Sequence, residues 1–120
     1  MATFEMQQAA FNVAPSKSVL SFGVQETKGF VVTAKLDLDL DTVAKFRSEE
    51  ILGQVVSEPL IPTGTYVLEL KVVLTSKAAI DINVDVVVKA PGKPAEAQTM
   101  TFKGKKRGDV CQALAFVLIQ

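Results

Sequence analysis

Histidine is absent from this 120-residue chain. Without imidazole, neither a Ser-His-Asp triad nor a Cys-His pair can be assembled within it, and imidazole metal sites are excluded too. Cys111 is the sole cysteine, so no intrachain disulfide and no thiolate zinc cage can form. A reducing compartment suits that usage. Tryptophan is also missing, and the aromatic set is seven Phe and one Tyr. Long apolar runs are lacking as well. The longest, Ala113 to Ile119, spans seven residues, far short of the ~20 that a membrane-spanning helix requires. The opening MATFEMQQAAF has no basic stretch followed by an apolar core, so no secretory signal is expected. Neither Asn12 nor Asn83 begins a glycosylation sequon. The expected location is cytoplasmic.

Charge of one sign is missing in bulk: 13 Lys plus Arg balance 13 Asp plus Glu. Hydrophobic residues make up 48% and charged residues 22%, the balance of a folded globular chain. The length predicts a single domain over residues 1–120.

Period-two alternation then dominates, which marks half-buried strands. Over 30–41, Phe30, Val32, Ala34, Leu36, Leu38 and Leu40 share one face, and Lys35, Asp37, Asp39 and Asp41 share the other. Upstream, Leu20, Phe22 and Val24 alternate within 18–25, and the two runs are expected to form one hairpin around 26–29. A second hairpin is expected from 65–75, with Tyr66, Leu68, Leu70, Val72 and Leu74 inward, and 80–89, with Ile80, Ile82, Val84, Val86 and Val88 inward. Pro91 and Pro94 break the ladder. A shorter strand follows at 98–103, and a looser pattern occupies 3–13, where Phe4 and Met6 are out of step with Phe11 and Val13. Residues 41–50 open on a candidate Asp N-cap and contain helix formers, which predicts a short helix. The run 110–120 is apolar on all sides. It reads as a central strand or a buried helix; the strand is favoured, with Phe102 and Leu114 on paired strands. The expected fold is all-β and mainly antiparallel: a two-layer sandwich of about seven strands plus one short helix. A small β-barrel is the alternative.

Four features are candidates for chemistry. Asp37, Asp39 and Asp41 alternate and so project to one side of a strand, as ligands of a hard cation would. An EF-hand loop starting there would need Gly and Glu where Thr42 and Ser48 stand, so the expectation is a solvated face that discourages edge pairing. Lys103, Lys105, Lys106 and Arg107 lie among Gly104 and Gly108 and form a candidate anion- or partner-binding loop. Nucleic acid is not expected, because the chain is neutral and its aromatics fall on apolar strand faces. Arg107-Gly108-Asp109 spells an adhesion-type tripeptide but is ordinary turn chemistry. Cys111, among Val110, Ala113 and Leu114, is expected to be a buried structural thiol. No Walker loop or dinucleotide fingerprint is present, and no metal or cofactor is expected.

The two halves of the chain differ in charge. Residues 1–60 hold 5 cations and 8 anions, and residues 61–120 hold 8 and 5. Separated in space, they would make a dipole able to stack head to tail. Mean hydropathy is +0.29, high for a small domain. Val31, Val67, Val73 and Val87 are apolar at outward positions, which makes them candidate interface residues. The expected function is therefore non-enzymatic: a structural or adaptor protein acting through protein–protein contact, self-associating or docking in a larger assembly. A carrier of a small apolar ligand is one alternative, and a ring- or tube-forming hairpin assembly is another.

Overall fold

A computed structural model describes residues 4–24, 29–46, 56–75 and 80–120. Nine strands occupy them: β1 Phe4–Ala10, β2 Ser18–Val24, β3 Phe30–Leu38, β4 Asp41–Phe46, β5 Val56–Leu60, β6 Gly64–Leu74, β7 Ile80–Lys89, β8 Glu96–Gly104 and β9 Val110–Ile119. They form two sheets, β1-β9-β6-β3-β4 and β5-β2-β7-β8. Every pairing is antiparallel except β1 with β9. The sheets stack as a sandwich and do not close into the alternative barrel.

The connectivity repeats one arrangement twice. A strand in one sheet leads to a hairpin in the other, and the next strand returns beside the first. β2, the β3–β4 hairpin and β5 form one unit, and β6, the β7–β8 hairpin and β9 form the second. The units interlock because β3 pairs with β6 in one sheet and β2 with β7 in the other.

This arrangement corrects both expected hairpins. Strands β2 and β3, from the first pair of runs, lie in different sheets, as do β6 and β7, from the second. Alternation reports which face of a strand is buried, and in a sandwich both layers turn that face inward. A crossing between layers therefore carries the same pattern as a hairpin. For the same reason Phe102 and Leu114 are not on paired strands: Phe102 points into the core from β8, and Leu114 stands on the outer face of β9.

The short helix predicted over 41–50 is also corrected. Residues 41–46 are β4, no described residue is helical, and 47–50 lie outside the described residues. The cause is upstream. Asp39 and Leu40 have φ of 48° and 75°, and Leu38 pairs with Asp41. A two-residue loop with both φ positive is the tight turn whose twist suits a hairpin, so the chain folds straight back on β3. The run 110–120 resolves in favour of the strand. Its alternate residues Cys111, Ala113, Ala115, Val117 and Ile119 are buried, and Gln112, Leu114, Phe116 and Leu118 stand half-buried on the outer face.

The core lies between the layers. Its largest fully buried side chains include Phe22, Phe102, Leu20, Leu36, Leu68 and Leu70. Sizes alternate across the ladder: Leu68 sits opposite Ala115 and Leu70 opposite Ala113, which lets large side chains from the facing sheet interdigitate. Each fully buried Leu, Val or Phe contributes about 1.5–3 kcal/mol. One flank is sealed by side chains. Gln7 Nε2 donates to Thr101 O at 2.6 Å and Gln98 Nε2 to Ala10 O at 2.6 Å, tying edge strand β1 to edge strand β8. On the other flank, Pro59 in β5 removes an edge donor.

Candidate functional site

The two charged motifs fall at opposite ends of the sandwich. The acidic run is broken up by the β3–β4 turn. Asp37 stays on the strand, where Thr42 Oγ1 donates to its Oδ1 at 2.7 Å and Lys35 Nζ lies 3.7 Å from its Oδ2. Asp39 moves into the turn, where its Oδ1 accepts Thr65 N–H at 2.9 Å while its own N–H donates to Thr65 O at 2.9 Å. Asp41 opens β4 and is exposed. The three carboxylates thus do not share the one face that uninterrupted alternation implies. Among the described residues, no three Asp, Glu, Cys or His side chains gather as metal ligands.

At the other end, the β8–β9 loop is built on Asp109. That residue is only 4% exposed, and its Oδ2 accepts Lys105 N–H at 3.0 Å and Lys106 N–H at 2.9 Å. The loop is closed further by Gly108 N–H to Leu74 O at 2.8 Å and Leu74 N–H to Asp109 O at 2.9 Å. Lys105, Lys106 and Arg107 are consequently exposed on a fixed backbone, with no ion pair among the described residues. Lys103 is set apart from them, on β8 opposite Asp81 of β7.

The candidate interface valines separate into two groups. Val87 lies on the four-stranded sheet, between Ser21 and Ala97. The other three lie on the outer face of the five-stranded sheet. Val31 pairs with Val73, Val73 with Val110 and Val110 with Phe4, which makes an apolar row across four strands beside the basic loop. Phe4 is 61% exposed and Val31 45%. Val67 lies further along, paired with Phe116, which pairs with Ala10. Between these apolar rows runs a polar band. Lys35 is 4.0 Å from Glu69 and directly opposite Lys45, and with Thr33, Phe46 and Lys71 they line a shallow cleft.

Two exposed apolar residues depart from the sequence reading. Leu40, counted with the inward set, is 93% exposed at the hairpin tip, because the turn ends the alternation at Leu38. Phe4 stands on an outer sheet face rather than a buried one. Val31 and Val73 of the Phe4 row were legible as outward valines, and the all-round apolarity of 110–120 was the sign for Val110, since a strand apolar on both faces leaves one such face outside the core; Phe4 itself had no such sign.

Cys111 is 3% exposed. Burial pushes its thiol pKa from 9.0 up to about 11, helped by the nearby charges of Glu5 and Asp109. It is held as a neutral thiol at physiological pH, which makes it a poor nucleophile. Tyr66 is buried too, its pKa raised by desolvation and then by Asp39, and its hydroxyl donates to Pro62 O at 2.8 Å.

No helix among the described residues is long and apolar enough to cross a membrane. No family model, no curated protein and no solved structure matches this chain.

Proposed function

We propose that this chain is a non-enzymatic assembly subunit that acts through protein–protein contact and associates with copies of itself. The observation that carries the reading is the row Phe4–Val110–Val73–Val31, which crosses four adjacent strands on an outer sheet face with partly exposed apolar side chains. A continuous apolar row on a rigid sheet, bordered by charge, has the composition of an interface core and rim. The buried neutral Cys111 and the lack of any possible intrachain disulfide support a reducing, cytoplasmic setting.

Sedimentation and native mass measurement of the purified chain test this. The expected result is species heavier than one 12.9 kDa chain at high micromolar concentration and low salt. A single monomeric species under those conditions overturns the reading.

A further inference from the structure

We propose that the apolar row of one copy is covered by the Leu40 hairpin tip of the next, so that the chain stacks head to tail. The inference rests on the self-association reading and names its contact. Leu40 holds a left-handed backbone, φ 75°, where a branched side chain is disfavoured and Gly or Asn is the usual occupant. It is also 93% exposed. Within its own chain this leucine adds backbone strain and gains almost no burial; a contact with another molecule supplies that burial.

The tip cannot reach the row of its own chain. Val31 and Leu38 lie at opposite ends of β3, and at about 3.3 Å per residue the tip stands roughly 30 Å from the row. The two patches can therefore meet only between copies.

Charge sets the orientation. The tip carries exposed Asp39 and Asp41 on either side of Leu40. The row adjoins the loop that exposes Lys105, Lys106 and Arg107, since Val110 of the row follows Asp109 directly. A leucine seated on Val31, Val73 and Val110 brings its flanking carboxylates toward those three cations. Plug and receptor are different surfaces, so the contact is heterologous and adds copies without closing on a two-fold axis.

Two variants test this. Leu40→Gly removes the plug while relieving the backbone strain. Lys105→Glu/Lys106→Glu/Arg107→Glu reverses the receptor charges at exposed positions. The wild-type chain is expected to show a mass that keeps growing with concentration and shrinks as salt is raised. Leu40→Gly is expected to weaken that growth about tenfold to hundredfold, although it melts higher than wild type. An equal mixture of the two variants is expected to regain one junction and stop at two chains, because one brings an intact receptor and the other an intact tip. Undiminished growth in Leu40→Gly, or no gain on mixing, overturns the proposal. A closed wild-type oligomer unaffected by either variant overturns it and leaves the self-association reading standing. A wild-type monomer overturns both.

Discussion

Phe46 of edge strand β4 meets Phe22 of β2 edge to face, with ring centroids 5.0 Å apart and planes at 77°. The two rings belong to different sheets, so this contact fastens an otherwise exposed edge strand to the core. Edge-to-face pairs add about 0.5–1.5 kcal/mol beyond the area they bury. Phe46→Ala is therefore expected to lower unfolding stability by about 2–3 kcal/mol, below the full cost for a completely buried ring because Phe46 is half-buried. Urea unfolding checks it, and a loss under about 0.5 kcal/mol, the scale of ordinary surface changes, would mean that the ring does not hold the strand.

Leu40→Gly should raise stability in dilute solution by up to about 1 kcal/mol, since a left-handed non-glycine residue costs about 1–2 kcal/mol and the extra freedom that glycine gives the unfolded chain takes back about 0.4–1 kcal/mol. Denaturant melts at low micromolar concentration keep association out of the measurement. A destabilised variant would contradict the strain assigned to φ 75°.

Gly64→Ala should act in the opposite direction. A Cβ there would lie 2.5 Å from Asp39 Oδ2 and 2.8 Å from Leu38 Cδ1, on a backbone at φ 141°. Crowding of this kind costs about 1–3 kcal/mol. The amide signals of Asp39 and Thr65, which exchange hydrogen bonds across this point, should move the most in a heteronuclear NMR spectrum. Unchanged signals would show that the site accepts a methyl group without displacement.

Asp109→Ala should leave the Lys105 and Lys106 N–H groups without their carboxylate acceptor. Losing a buried acceptor costs about 1–3 kcal/mol. Faster hydrogen exchange confined to the β8–β9 loop, together with a lower urea midpoint, is the expected signature. Exchange as slow as in the wild type would remove Asp109 from its place as the loop's organiser.

The thiol of Cys111 makes stability fall at alkaline pH. Its pKa is 9.0 when unperturbed and about 11 in the fold, so between those values the unfolded chain has lost the proton that the folded chain keeps. The stabilisation is complete below pH 9 and is lost as pH rises through the folded value. Tyr66, raised in the same direction, adds to the decline above its ordinary 10.0. Cys111→Ala should flatten the 9-to-11 part of the stability curve relative to wild type, and identical slopes in the two proteins would refute it.

Much of the layer structure was legible along the chain. The inward sets of 30–36, 66–74 and 82–88 are buried as alternation predicts, and Leu38 is half-buried at the strand end, because a pleated strand turns successive side chains to opposite faces whatever its neighbours are. The 110–119 strand was readable only as one of two choices. The mistaken hairpin pairings arose because a crossing between layers alternates like a hairpin; the failures around residues 37–46 share another cause. Asp39 and Leu40 switch to positive φ without the Gly or Asn that usually announces such a turn. That silent turn hid the β3–β4 hairpin, exposed Leu40, made β4 of a segment that opens on a candidate helix N-cap, and scattered three aspartates that strict alternation places on one face.

By itself the order of residues determined that this protein is a stack of pleated strands with a neutral overall charge and no histidine chemistry, because those properties depend on composition and on neighbours two apart. Only the tertiary structure decided which strands share a sheet, that Phe4, Val110, Val73 and Val31 line up into one row, and that the acidic tip and the basic loop stand at opposite ends. Those relationships depend on pairings between residues far apart in the chain, which local periodicity does not encode.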